Sequence, residues 1–422
     1  MLDIHYIREH PEAVKEGIRK KGDDPSRVDQ ILHLDEERRK VLQKTETLKS
    51  KKNTVSAEIA KRKSQKVDAS VLIEEMRGVA DQIKALDTEL VEIDGQLRDS
   101  MLLIPNIPHS SVPEGRTPAD NQVIDTWGEE IPTDTPLKPH WELAEKLNII
   151  DFPRGTKITG AGFPVYVGRG ARLERALINF FLDEASARGY TELLPPILVN
   201  AESATGTGQL PDKEDQMYVV SRDDLYLVPT AEVPVTNYFR DEILAEKQLP
   251  VNFCAFTPCF RREAGSYGKD VRGLNRVHQF NKVELVKLVH PGTSYAELET
   301  MRGDAEHLLK KLGLRYHVLL MCSGDLGFTQ TKKYDLEVWS AGQQKWLEVS
   351  SISNFESFQA RRMNIRFRPA GGGKPEIVHT LNGSALALPR LMAALLEHYQ
   401  TPEGKVVVPA ALHRYAGFEI IG

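Results

Sequence analysis

The sequence predicts an α+β protein: a long N-terminal antiparallel α-helical coiled-coil hairpin, then an antiparallel β-sheet flanked by helices. Three observations predict it. A heptad seam of apolar residues runs through the region before Pro105. Prolines crowd the stretch from Ile104 to Asp120, the mark of a linker. Beyond it, short β-rich runs alternate with turns and close on a late helix.

Residues 1–25 read as a short helical lead, with Pro11 early in a helix and "KKGDDP" as its break. From Ser26 to about Ile104 the chain is highly charged and free of proline. Leu72, Met76, Val79, Ile83, Leu86, Leu90, Ile93 and Leu97 follow 4-3-4-3 spacing, the coiled-coil period. The preceding segment repeats the seam at Ile31, Leu34, Arg38, Val41, Thr45, Leu48, Lys52, Val55 and Ile59, with three polar interruptions. "KSQKVDAS" (Lys63 to Ser70) is short and polar, so it turns one helix back on the other. A helix of ~35 residues projects about 50 Å. The hairpin tip is basic: Lys49, Lys51, Lys52, Lys61, Arg62, Lys63 and Lys66 stand against a single Glu58. Such a patch is either a solvated helix end or a contact for a phosphate backbone.

After the linker, 171–188 is amphipathic, with Leu173, Ala176, Leu177, Phe180, Phe181 and Ala185 on one face. "YTELLPPILVN" reads as a strand broken by Pro195 and Pro196. "LYLVPT", "VNFCAFTPCFRRE", "RVHQFNKVELVKL", "YDLEVWS" and "KWLEVSSISN" read as strands and 386–399 as a helix. The expected organisation is a helical arm over 1–104, a linker over 105–120 and a second domain over 121–422.

Composition bounds the function. The chain has 422 residues, a length prior of roughly two or three domains, and a net charge of −5 that does not itself suggest nucleic acid. Any basic surface must be local. No apolar run approaches the ~20 residues needed to cross a bilayer, and no signal or transit pattern opens the chain, so a cytoplasmic location is expected. Three cysteines, Cys254, Cys259 and Cys322, are an odd, sparse set that fits a reducing compartment. Without a CxxC pair they read as buried thiols, and no zinc is expected.

No GxxxxGK[ST] is present, and no GxGxxG opens a helix after a strand, so a bound nucleotide would have to be held by arginine. "RREAGSYGKDVRGLNRVHQF" (Arg261 to Phe280) offers the means. Side chains alternate along a strand. Arg261 and Glu263 then share a face of one strand, and Arg276, His278, Phe280, Lys282 and Glu284 a face of the next. Paired as a hairpin through "AGSYGKDVRG", they would gather a guanidinium for phosphate, a ring for a base and carboxylates for an amine or hydroxyl. Cross-strand ion pairs on a surface sheet would explain the same residues. In "VPTAEVPVTN", Thr230 and Glu232 are polar among apolar neighbours. In "WLEVSSISNF", alternation puts Glu348 with Ser350 and Ile352, and Val349 with Ser351 and Ser353. Carboxylate and hydroxyl are hard oxygen donors suited to Mg²⁺. "HTLNGSALALPRLMAALLEHYQ" runs from Asn382 and Ser384 into a helix with Arg390 near its start, a setting that favours an anion.

With these stretches together, the sequence resembles the bacterial-type seryl-tRNA synthetases, a family of class II aminoacyl-tRNA synthetases, over nearly its whole length. "GYTELLPP" is similar to motif 1 of that class, "FRREAG" with "VRGLNRVHQFNKVE" to motif 2, and "LNGSALALPRLMAALLE" to motif 3. "TGQLP", "PTAEVPVTN", "LEVSSISN" and "SFQARR" resemble the seryl branch. The resemblance implies a class II catalytic domain behind a tRNA-binding arm. It implies an ATP-dependent ligase that attaches L-serine to serine tRNA through a seryl-adenylate, with selenocysteine tRNA as a further acceptor where present. It also implies a cytoplasmic homodimer, with no membrane partner.

Carried onto this chain, the family pattern has Arg261 hold the α-phosphate of ATP and later the serine carboxylate region. Glu263 would meet the adenine side, Phe280 would stack on the base, and Arg390 would pin the γ-phosphate and cover the ring. Arg262, Val277, Val349 and Ser350 would complete the ATP contacts. Glu348 and Ser351 would hold Mg²⁺ with ATP. Thr230, Ala231 and Glu232 would take the serine amino group and Glu284 its hydroxyl, with Asn382 and Ser384 closing the pocket. The basic tip would grip the long variable arm of serine tRNA. Ala385 and Pro389 stand where the family usually has glycine. If the last helix starts near Leu386, Pro389 falls in its first turn, where a missing N–H costs little; an earlier start would kink it and misplace Arg390. Two other functions fit parts of the chain: an adenylating enzyme that loads a carrier protein, and a non-catalytic scaffold. The basic arm argues against the first, and Arg261, Glu263, Glu284, Glu348 and Arg390 together argue against the second.

Overall fold

The computed structural model describes residues 1–131, 137–263 and 271–422. It divides into two compact units. One comprises Leu2–Arg19 and Asp23–Pro105; the other comprises Met1, Lys20–Gly22 and Asn106–Gly422.

In the first unit, α1 (Ser26–Ser64) and α2 (Ser70–Leu102) form the antiparallel hairpin. Met76, Val79 and Ile83 are buried against Leu48, Val55 and Ile59, as the heptad spacing requires. The polar seam positions are accommodated individually. Thr45 is buried and its hydroxyl donates to the Val41 carbonyl at 2.9 Å, Arg38 reaches across to Asp94, and Lys52 is exposed. Asp35, off the seam, is buried and accepts Arg8 and Arg39, each at 3.0 Å. The tip is less positive than its own helix suggests. Glu75 and Asp87 of α2 pair with Lys51 at 2.6 Å and Lys49 at 2.9 Å, and Glu58 takes Arg62 at 2.9 Å. Lys52, Lys61, Lys63 and Lys66 are exposed and carry no ion pair among the described residues.

The second unit is built on an eight-stranded sheet. Its strands are β1 (Gln122–Trp127), β2 (Thr191–Leu193), β3 (Val251–Phe260), β4 (Gln279–Val289), β5 (Tyr316–Leu320), β6 (Lys332–Ser340), β7 (Lys345–Glu356) and β8 (His379–Ala387). Their spatial order is β1-β5-β6-β7-β8-β4-β3-β2, antiparallel except for β2 beside β3. Helices α3 (His140–Lys146), α4 (Arg169–Ala187), α5 (Ser294–Leu312) and α6 (Leu388–His398) contribute buried faces to the large core. The expected stripe of α4, from Leu173 to Ala185, is buried there. The Pro-rich stretch expected as a linker is bound along its length. The Asn106 side chain donates to the Thr329 and Phe355 carbonyls at 2.9 Å, and the His109 amide to the Thr331 carbonyl at 2.9 Å.

Two expectations about strand faces are corrected. The strand expected to start at Arg276 starts at Gln279. The His278 amide instead donates to the Gly162 carbonyl at 2.8 Å, and its ring meets the Tyr218 hydroxyl at 3.0 Å. Simple alternation also fails in β7. Leu336 pairs with Ser350 but Glu337 pairs with Glu348, so Val349 is an extra residue in a β-bulge. The bulge inverts the phase of the strand before it. Glu348 therefore shares a face with Ser351 and Ser353, not with Ser350 and Ile352. Part of the glycine-rich link between β3 and β4, 264–270, lies outside the described residues.

Candidate active site

A cavity of about 520 Å³ lies where β3, β4, β7 and β8 meet the start of α6. From β4, Phe280, Lys282 and Glu284 line it by period-two alternation. Beyond the end of β3 the pairing continues briefly, with the Arg261 amide donating to the His278 carbonyl at 2.9 Å. The Arg261 guanidinium carbon lies 5.2 Å from the centre of the Phe280 ring, and Nε donates to the Pro229 carbonyl at 3.3 Å. A cation and a flat apolar surface are thus held side by side.

One end of the cavity gathers two carboxylates, an ammonium and hydroxyls. Glu284 is buried, and its Oε2 lies 2.6 Å from Lys282 Nζ and 3.4 Å from Ser384 Oγ. Lys282 Nζ also donates to Thr230 Oγ1 at 2.9 Å. Thr230 leads into a short helix (Glu232–Thr236), and its Oγ1 accepts the Glu232 amide at 3.1 Å. The Glu232 carboxylate accepts Gln359 Nε2 at 2.7 Å. Burial first, then the nearby Glu284 charge, pushes the Glu232 carboxyl up to about 7 against the pull of the Gln359 bond. Asn382 completes the lining.

The other end carries guanidinium and hard oxygens. Helix α6 begins at Leu388, so Pro389 sits in the first turn and removes no helical hydrogen bond. Arg390 follows in the same turn. Its Nε donates to the Asn275 carbonyl at 2.9 Å, and Nη1 donates to the Glu348 carbonyl at 3.2 Å and lies 3.6 Å from its carboxylate. Glu348, Ser351 and Lys333 line the same end. Behind them, burial and then the Glu348 charge push the Asp335 carboxyl up, although Lys333 Nζ lies 3.3 Å away. Glu263 has φ +51°, a strained value outside glycine, and accepts Arg276 Nη1 at 2.6 Å.

Most of the residues singled out from sequence meet here, with Val277, Val349 and Ser350 also in the lining. Ala231 is fully buried behind it. Arg262 is exposed outside it and donates to the Asp215 carbonyl at 3.3 Å. Lys213, Lys282 and Lys333 line the cavity without having been proposed. Lys282 was legible as the same-face neighbour of Glu284; Lys213 comes from a loop with no periodic signal.

The matches to known proteins agree with this geometry. Residues 1–108 match the seryl-tRNA synthetase N-terminal domain, and residues 218–399 match the tRNA synthetase class II core domain (G, H, P, S and T). A serine–tRNA ligase from Salinibacter ruber is 53% identical over 425 residues, which span 100% of this chain and 99% of that protein. The chain belongs to the seryl-tRNA synthetase family. Two solved seryl-tRNA synthetases share the whole fold. That of Pyrococcus horikoshii, complexed with ATP, is 38% identical at a TM-score of 0.94, covering 100% of this chain and 99% of its own. The cytoplasmic enzyme of Naegleria fowleri, in complex with AMP, is 28% identical at a TM-score of 0.89, covering 100% and 98%.

Proposed function

We propose that this cavity joins serine to ATP and that the protein then passes the seryl group to serine tRNA, as a class II serine–tRNA ligase. One observation carries the reading: a guanidinium beside an aromatic ring shares a single cavity with a buried carboxylate, Glu284. The ATP and AMP held by the two related structures support the nucleotide half. Adenine lies on Phe280 beneath Arg390, with the α-phosphate at Arg261. The serine ammonium goes to Glu232 and Thr230, and its hydroxyl donates to Glu284, which Lys282 keeps from turning away. A serine carboxylate oxygen attacks the α-phosphorus and the bond to pyrophosphate breaks. A ribose hydroxyl of the terminal tRNA adenosine then attacks the seryl carbonyl, and AMP leaves. Placement and fixed positive charge carry this chemistry.

Mg²⁺ fits the donors present. The bulge at Val349 turns the Glu348 carboxylate and the Ser351 hydroxyl to one face. No cluster of three His, Cys, Asp or Glu stands among the described residues as a protein-only metal site. Glu348 and Ser351 would hold the ion through hard oxygen donors, the type it prefers. When bound, it neutralises phosphate charge.

Exchange of labelled pyrophosphate into ATP without tRNA tests the reading. The expected result is exchange that depends on serine; exchange without serine, or none at all, contradicts it. The elevated Glu232 carboxyl adds a pH signature. Only the ionised form receives an ammonium, so kcat/KM for serine falls about tenfold per pH unit below about 7. Replacing Glu232 by Gln removes this limb; a limb that survives the substitution belongs to another group.

The hairpin tip supplies the tRNA contact in this reading. Lys61, Lys63 and Lys66 are exposed and hold no ion pair among the described residues. Their joint replacement by alanine lowers tRNA charging about tenfold or more at physiological salt, through lost phosphate neutralisation. Pyrophosphate exchange stays unchanged. A parallel loss of exchange would place these lysines in some other role.

A further inference from the structure

Outside the cavity, a buried His–Glu pair sits near the C-terminal end of α6. His140, the first residue of α3, and Glu397 are both fully buried. The Glu397 carboxylate accepts the His140 amide at 2.9 Å, His140 Nδ1 at 2.8 Å, the Gly342 amide at 3.0 Å, Gln343 Nε2 at 3.0 Å, and the Ser340 hydroxyl. Burial alone would raise this carboxyl. The side-chain bonds from His140 and then Ser340 outweigh it and hold the group below its ordinary value. The imidazole is fixed as well. An amide can only donate, and the Leu274 amide donates to His140 Nε2 at 2.8 Å, so Nδ1 carries the proton toward Glu397.

The segment bound in this way is the return from the β3–β4 link. Gly273 has φ +66°, and a Cβ there would stand 2.2 Å from His140 Nε2. The Arg272 guanidinium lies 4.7 Å from the centre of the Trp141 ring. The same segment then grips the start of α6 through the Asn275 carbonyl, which accepts Arg390 Nε at 2.9 Å. Asn275 Nδ2 donates to Gln343 Oε1 at 2.7 Å, and Gln343 in turn binds Glu397. A closed ring of hydrogen bonds therefore ties Arg390 and Glu397, two turns apart on one helix, to Leu274 and Asn275.

We propose that His140 and Glu397 are positioning residues for the nucleotide: by pinning Leu274 and Asn275 against α6, they aim Arg390 into the cavity without touching substrate. The inference rests on the reading of Arg390 as an ATP contact.

Two substitutions at one position separate this role from plain packing. Asparagine at 140 keeps a donor for Glu397 but is too short to accept from Leu274. Glutamine keeps the acceptor for Leu274. Pyrophosphate exchange on the full chain is followed with KM for ATP and KM for serine measured separately, alongside melting temperature. His140→Asn raises KM for ATP about five- to tenfold, the worth of one hydrogen bond, and moves KM for serine less than about twofold. His140→Gln restores most of the loss. Gln343→Ala, at a half-buried position, gives a rise of about two- to threefold of the same kind. If His140→Asn fails to fold, Gln343→Ala decides alone. Equal losses for Asn and Gln, serine KM rising in step with ATP KM, or a lowered melting temperature with ATP KM unmoved would overturn the proposal. Arg390→Ala distinguishes the two levels. If it leaves ATP KM unchanged, the reading of the cavity fails and this inference falls with it. If it raises ATP KM while the His140 and Gln343 variants do not, only this inference fails.

Discussion

Replacing Arg261 by alanine lowers the turnover of serine-dependent pyrophosphate exchange by about 10³-fold and leaves the fold intact. The size follows from what the guanidinium faces. It stands beside Phe280, with only a carbonyl of its own chain as a hydrogen-bond partner among the described residues. Its charge is therefore available to the α-phosphate as negative charge builds during attack. Removal of one preorganised charge or donor of this kind costs about 10²–10³-fold, and arginines on transferring phosphoryl groups reach about 10³–10⁵. Arg261 is half-buried and holds no ion pair among the described residues, so its loss should change stability by less than about 1 kcal/mol. Lysine at this position keeps charge but not the planar fork, and should recover only a small part of the rate. A variant that exchanges pyrophosphate normally would remove Arg261 from the reaction.

Glu284→Ala should weaken both specificity and fold, for different reasons. The carboxylate is 2% exposed, and Lys282 beside it 5%. Losing a charged hydrogen bond to the serine hydroxyl costs about 1.5–3 kcal/mol, or roughly 10- to 150-fold in kcat/KM for serine. Alanine gains no such penalty, so the serine-over-alanine preference collapses by the same factor. Truncation also leaves the Lys282 ammonium buried with Thr230 as its remaining partner in the pocket, and breaking a buried ion pair costs about 3–5 kcal/mol. Glu284→Gln separates the two effects. Its amide oxygen still accepts from Lys282, so more stability survives while the charge that orients serine is gone. Unchanged serine preference in both variants would assign the hydroxyl to another group. Threonine keeps the hydroxyl and adds one methyl, a difference of only about 10- to 200-fold, so it should be the hardest competitor.

What could be read from the sequence depended on whether the signal was local. The hairpin was legible because its seam repeats with a fixed period, and Met76, Val79 and Ile83 are buried where that period puts them. Phe280, Lys282 and Glu284 were legible because β4 alternates without interruption through them. Glu348 was misplaced because alternation cannot show an inserted residue, and the Val349 bulge reverses the phase. His278 was misplaced because the strand starts one residue after it. Neutralisation of Lys49 and Lys51 comes from Asp87 and Glu75 on the opposite helix, which no reading of one helix reveals. The His140–Glu397 pair joins residues far apart in the chain, each unremarked within its own segment. Pro389 was the reverse case: its cost hinged on the helix start, and the start at Leu388 makes it harmless.

The most direct measurement is a crystal structure of the full chain grown with Mg²⁺ and a non-reactive seryl-adenylate analogue. The base should lie against Phe280 and Arg390, the phosphate position within reach of Arg261, and the serine hydroxyl on the Glu284 carboxylate. An analogue bound elsewhere, or bound with its serine side chain turned away from Glu284, would contradict the account.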